Sequence, residues 1–292
     1  VSGHRSGPTV GGTGFFSSLA YRKLGLETML VTKVAANDRQ NLLSKLEQAD
    51  TTIRCLESSE TLQFENIYSS SDPNHRLQRI LRFADPLTTR DLVDVSADVF
   101  HLGPLAVGDI EPALFVDLAT RGTVALDVQG LLRLRRPGQV TLQMSPEIRK
   151  LVQHTDILKA DIEEARLLTG CQTTRDMLTE LQSWGPREIL ITAGSHGSSI
   201  CSPEGMSEIP AYRPKNTVDS TGCGDTYLAG YVAARLRGLS PYSSAHIGAA
   251  AASHKLEYAG PLQASFDALS EQIKLETDAV DPATTDPYRE KV

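Results

Sequence analysis

The pattern of apolar and polar positions changes character along the chain. Residues 14–24 carry apolar side chains at helical spacing, residues 28–34 form an apolar strand, and residues 39–48 return to helical spacing behind Asn37 and Asp38, which read as a helix cap. Three strand-length stretches follow at 51–56, 61–68 and 75–82, with Ser-Ser-Ser-Asp-Pro-Asn as the turn before the last. Paired with one another, they predict a small sheet. Alternation places Leu62, Phe64, Asn66 and Tyr68 on one face, which offers Asn66 to a substrate hydroxyl; an ordinary edge hairpin explains the pattern equally well.

From residue 98 the period changes. Short apolar strands at 99–105, 123–130, 156–161 and 188–194 alternate with amphipathic helices at 111–120, 146–154 and 162–169. That alternation predicts a mostly parallel sheet with helices on both faces, whose ligands bind beyond the carboxyl ends of the strands. Polar residues gather at those ends: Asp127, Gln129 and Arg133 after one strand, Lys159, Asp161 and Glu164 after the next, and Thr192, Gly194 and Gly197 after the third. A nucleotide site needs this distribution, and Lys159, Thr192, Gly194 and Gly197 are its candidate contacts.

The strongest chemical signal lies at residues 219–236. Gly222 and Gly224 bracket Cys223, Asp225 follows, and Leu228, Tyr231, Val232 and Leu236 have the spacing of one helical face. A glycine loop therefore opens directly into a helix. Glycine lets the backbone approach a ligand closely, and the first helical turn leaves N–H donors without intrahelical partners. With the positive end of the helix dipole added, this is an anion site suited to a phosphoryl group in transfer. Asp225 in that first turn is placed to take a proton from an attacking hydroxyl. A helix cap behind a glycine turn is the plainer explanation for the same residues. The Ala-rich stretch 240–255 reads as a further helix in which Gly248 permits close packing or a nucleotide base.

Composition narrows the classes. The 292 residues are 40% hydrophobic, enough for a real core, and the net charge of −7 argues against nucleic acid or an anionic membrane as the main partner. No apolar run is long enough to span a bilayer, and residues 1–12 lack the charged-then-apolar order of a signal peptide, so a cytoplasmic protein is expected. The four cysteines show no C-x-x-C spacing and the seven histidines no H-E-x-x-H spacing, which suggests neither a disulfide framework nor a metal held by protein alone. Cys223, at a helix N-terminus, has the setting of a reactive thiol, but no histidine accompanies it in the motif. The triplet Gly11, Gly12 and Gly14 imitates a dinucleotide fingerprint without the preceding strand or the following acid.

The run DSTGCGDTYLAG resembles the C-terminal signature D-T-x-G-A-G-D-x-F-x-x-G of the ribokinase-like (PfkB) carbohydrate kinase family, with Cys223 where alanine is usual and Tyr227 where phenylalanine is usual. The resemblance implies a ribokinase-like α/β fold in a single domain over 1–292, with strands of about 51–82 inserted as a lid over the acceptor. It implies that Asp225 is the catalytic base and that the backbone of Gly222, Cys223 and Gly224 is the anion hole. Carbonyls near Asp219 and Thr221 would hold a monovalent cation such as K+. The segment from Gly11 to Asp38 resembles the N-terminal signature, in which Gly11, Gly12 and Phe16 address the acceptor. Phe16 replaces the usual asparagine, which favours a polyol such as inositol over ribose. Only ten residues precede Gly11, so the family's first strand, with its substrate-binding aspartate, is expected to be absent.

Three further motifs fit. DIEE resembles N-x-x-E, which implies that Glu164 organises Mg2+-bound water; a helix cap explains the same residues. TAGSHGS resembles the T-x-G-x-x-G strand end beside the nucleotide, and DVQGLLR a variant in which Arg133 meets the transferring phosphate. YAGPLQ resembles the loop that closes the adenine pocket and the cation site. The activity implied is ATP- and Mg2+-dependent phosphorylation of a hydroxyl on a sugar, polyol or nucleoside, in a chain that pairs through its lid if it dimerises. A catalytically idle ligand-binding or scaffold member is the alternative.

Overall fold

A computed structural model describes residues 9–68 and 76–279. The chain begins with α1 (Thr13–Lys23), β1 (Met29–Val34), α2 (Arg39–Gln48), β2 (Thr52–Glu57), β3 (Gln63–Tyr68) and β4 (Arg76–Arg82). It continues through β5 (Val99–Leu102), α3 (Pro112–Ala119), β6 (Thr123–Asp127), α4 (Gln129–Leu132), β7 (Gly138–Gln139), α5 (Pro146–Val152), β8 (Ile157–Asp161), α6 (Ile162–Thr169) and α7 (Thr174–Ser183). The last elements are β9 (Glu188–Thr192), β10 (Ser198–Ser202), β11 (Gly205–Ile209), α8 (Cys223–Leu236), α9 (Pro241–Leu256) and α10 (Phe266–Ala279).

The main sheet runs β11-β10-β9-β8-β6-β5, parallel from β5 through β9, with β10 and β11 added as an antiparallel hairpin. Its central strands are apolar on both faces because helices cover both. Val124, Leu126, Leu158, Ile189 and Ile191 pack among Phe115, Leu118, Val152, Met177 and Leu181 of α3, α5 and α7. The alternate residues Ala125, Ile157 and Leu190 pack on the other side with Ala20, Leu228, Tyr231 and Ala250 of α1, α8 and α9. Helix α8 is buried from Thr226 through Ala234. The Tyr231 hydroxyl donates to Glu188 Oε2 at 2.6 Å and Arg235 pairs with Glu188 at 2.8 Å, which ties the helix to the first residue of β9. Gly248 allows the close packing of α9: a Cβ there would stand 2.8 Å from the Tyr227 carbonyl oxygen.

The expected lid stretch divides. β2 pairs in parallel with β1, residue for residue from Met29 with Thr52 to Val34 with Glu57. The small antiparallel sheet is β3-β4-β7, closed by a two-residue strand from far along the sequence. The turn at 69–74 and His75 lie outside the described residues. Asp38 accepts no side-chain cap bond at α2, which a 3-10 turn over Ala36–Asp38 enters instead. Among the described residues no helix is long and apolar enough to cross a membrane.

Candidate active site

The carboxyl ends of β5, β6 and β8 converge with the N-termini of α1 and α8. Gly222 caps α8 in the left-handed region (φ 81°), where a side chain is strained, and a Cβ there would also meet the Phe16 ring at 2.3 Å. Phe16 is thus a buried support under the glycine loop. Helix α1 starts behind Gly12, also at φ 81°, and packs along α8 so that the Ser17 hydroxyl donates to the Asp225 carbonyl at 3.3 Å. The Thr13 hydroxyl donates to the Asp225 carboxylate. Gly103, at the end of β5, makes room for Thr13: a Cβ there would stand 2.1 Å from its methyl group.

Asp127 at the end of β6 and Lys159 in the middle of β8 are register partners, and their buried side chains meet at 2.7 Å. Lys159 reaches under the loop, since a Cβ on Gly224 would lie 3.0 Å from its Nζ. Burial works against the ammonium, but the charges of Asp127, Glu164 and Asp225 outweigh it and raise its pKa. For Asp225, burial is the main cause of a pKa raised to about 6; Asp127 adds to it, and Thr13, Lys159 and Arg133 pull the other way. The Asp225 side chain keeps part of its surface open, yet protein surrounds it closely enough for burial to dominate. Glu164 is buried and also raised, by burial first and then by Asp127.

Asp161 and Glu164 form a reciprocal cap on α6: each backbone N–H donates to the other's carboxylate at 2.8 Å. The capping reading of DIEE therefore holds, and the cap fixes where the Glu164 carboxylate points. Arg133 is buried beneath the small sheet, 3.3 Å from Gln78 Oε1 in β4 and over the Phe64 ring in β3. Asn66 stands opposite Gln78 in the β3–β4 ladder; its side chain lies outside the described residues. Burial pushes the Cys223 thiol up to about 11, which keeps it protonated and removes it as a nucleophile at neutral pH.

Thr192, Gly194 and Gly197 sit beyond β9. The Thr192 hydroxyl turns to the Ala160 carbonyl at 3.4 Å, and a Cβ on Gly197 would strike the Ile209 carbonyl oxygen at 2.2 Å, so packing alone requires that glycine. Gly194 faces open space, and Gly11 is exposed at the entrance to α1. Motif reading did not bring out Thr13, Ser17 or the Asp127–Lys159 pair as a unit. The pairing had only a weak signal in the sequence, since Asp127 ends β6 whereas Lys159 lies in the middle of β8, and it is the register of the two parallel strands that sets them side by side.

A sheet wound in this order under a small antiparallel flap defines the ribokinase fold. A pyrophosphate-dependent kinase of the ribokinase family superposes with a TM-score of 0.81 and 26% identity, over 92% of this chain and 94% of that one. The model of the pfkB family carbohydrate kinases matches residues 3–267, and the chain belongs to that family. It is 29% identical over 147 residues to a 2-dehydro-3-deoxygluconokinase of Escherichia coli, covering 49% of this chain and 47% of that protein. It is 30% identical over 189 residues to an inositol 3-kinase of Zea mays, covering 63% of this chain and 46% of that protein. The chain thus spans about half the length of the curated relatives it matches.

Proposed function

We propose that the protein transfers a phosphoryl group from a phosphoanhydride donor to a hydroxyl of a small polyol or sugar. The observation that carries this reading is Asp225. It stands in the first turn of α8 directly behind the left-handed Gly222, with its pKa raised to about 6. A carboxylate tuned there is ionised at neutral pH and a stronger base than a solvated aspartate, as a general base for an alcohol requires. It accepts the hydroxyl proton as the oxygen attacks phosphorus. The N–H groups of the loop at Gly222, Cys223 and Gly224 and the start of α8 face the charge that grows on the phosphoryl oxygens. Arg133, above the cleft and joined to the flap, meets the same oxygens and couples their arrival to the flap strands.

A magnesium ion is the counter-charge that the family signatures imply for the donor, and since no group of three or more ligating side chains occurs among the described residues, the donor's own oxygens and water would complete its shell. Asp127, Glu164 and Asp225 surround the single ammonium of Lys159, which leaves an excess of negative charge on hard oxygen donors. Glu164, oriented by its cap, and Asp127 would hold the ion through water, and when bound it neutralises the donor's phosphate charge. ATP is the donor implied by the family signatures. Pyrophosphate is the donor named for the similar structure, and either presents the same phosphoanhydride to the loop. The inositol 3-kinase among the relatives supports a polyol acceptor; Phe16, expected to address that acceptor, is buried against Gly222 instead and carries no part of this reading.

The test is a 31P NMR screen of Mg-ATP and Mg-pyrophosphate against inositols, hexoses, sugar acids and nucleosides. A new phosphomonoester resonance with a polyol or sugar is expected. Absence of product from every pair, with folded protein, contradicts the proposal.

A further inference from the structure

Of the places that the sequence resemblance assigns to a monovalent cation, the Asp219 carbonyl and the loop that begins at Tyr258 are bonded by a side chain of the protein itself. Lys255, in the last turn of α9, is fully buried at 0% exposure. Its ammonium donates to the Asp219 carbonyl at 2.8 Å, to Asp219 Oδ2 at 3.2 Å and to the Tyr258 carbonyl at 3.3 Å. An ammonium has three N–H donors, and these three acceptors account for them. The Phe16 ring centroid lies 5.6 Å from the same Nζ, and Phe16 is the ring packed against Gly222.

A lysine near a helix C-terminus ordinarily lays its stem on the surface and keeps its head in water. Burying the head is costly unless it is paired and fully hydrogen-bonded, and Lys255 is both. The Asp219 carboxylate completes the arrangement. Its Oδ1 accepts the Thr221 N–H at 2.9 Å, which fixes the turn leading into Gly222. Burial opposes the Asp219 charge, but Thr221 and Lys255 outweigh it and hold the carboxyl below its ordinary value. The N–H groups of Val218 and Asp219 both donate to the Leu256 carbonyl, at 2.8 and 3.3 Å, so the end of α9 grips the start of the loop. Potassium does not fit this cage as built, because the ammonium already stands within bonding distance of the Asp219 carbonyl, which it would need, and of the Asp219 carboxylate beside it.

We propose that Lys255 is a built-in monovalent cation that positions the loop at residues 219–224, and that the protein takes no potassium there. The assignment rests on the proposed function only in giving that loop an anion to bind. Its first test is the melting temperature of the wild-type protein in KCl and in choline chloride at equal ionic strength. Agreement within about 1 °C is expected, since a ligand that does not bind cannot shift the transition. A saturable stabilisation by potassium of more than about 3 °C over choline overturns the proposal. The second test uses Lys255→Ala, which empties the cage. It should melt at least about 5 °C lower in choline chloride and recover part of that loss in KCl. Unchanged melting, or an equal loss in both salts, means that Lys255 is not a stand-in for an ion. If the variant does not fold in either salt, the wild-type comparison decides alone. Both readouts are melting temperatures, so failure to find phosphoryl transfer would leave them standing.

Discussion

At the scale of single residues, the site holds two carboxyls away from their ordinary ionisation. Asp225 and Glu164 both have raised pKa values in the folded protein, with burial as the leading cause. The folded state therefore keeps protons that the unfolded chain has already lost. Their contribution to stability is complete below the unfolded carboxylate range and is lost as pH rises through about 6 for Asp225. Denaturant titrations without ligand should show Asp225→Asn and Glu164→Gln gaining stability relative to the wild type between pH 4 and pH 8. Glutamine preserves the reciprocal cap with Asp161. Variants that gain nothing across this range would show that the two sites are not strained by their charge. Turnover should run the opposite way and rise with pH through about 6 as Asp225 ionises, which a pH profile of kcat checks.

At the scale of elements, the glycine loop depends on one aromatic ring beneath it. Gly222→Ala must place a methyl group 2.3 Å from Phe16 at positive φ, and should cost about 2 kcal/mol or more of stability by denaturant midpoint. In a Phe16→Ala background the same change should cost clearly less, because the two residues share one contact; additive losses would contradict the packing. The flap depends similarly on Arg133. Arg133→Ala should speed amide hydrogen exchange in β3 and β4 and leave β8 and β9 protected, and uniform exchange would show that Arg133 does not hold the flap.

Much of this was legible in the chain, and the failures have physical causes. Strands β5, β6, β8 and β9 and helices α3, α5 and α6 followed from apolar runs because their strands are buried on both faces, whereas the expected strand over 123–130 ran into the short helix α4. α7 was missed, although Thr173 accepts from the Asp176 N–H as its cap, because no apolar run set off its start. β7 is two residues long and pairs with a strand some sixty positions earlier, so no local pattern announces it. β2 joined β1 rather than the flap, since alternation gives a strand's faces and not its partner. Phe16 and Lys255 shape the site from beneath, and their roles emerge only when α1, α8 and α9 are stacked.

At the scale of the whole molecule, the net charge of −7 means that the proposed anionic donor would have to be captured by local geometry against the overall field. The captured ligand should then stabilise the fold: a saturating Mg-donor complex, ATP or pyrophosphate, adds about 2–4 kcal/mol and raises the melting temperature. No shift with either donor would contradict a phosphoanhydride site at the glycine loop. The most direct test of the account is turnover by Asp225→Asn with the best donor and acceptor pair. Asparagine keeps the size of the side chain and removes the base, so help given only in the transition state is lost while binding persists. Turnover should fall by about 10²–10⁴-fold, with the donor-induced melting shift unchanged. An Asp225→Asn variant that keeps more than about half of the wild-type turnover would contradict the assignment of Asp225 as the base.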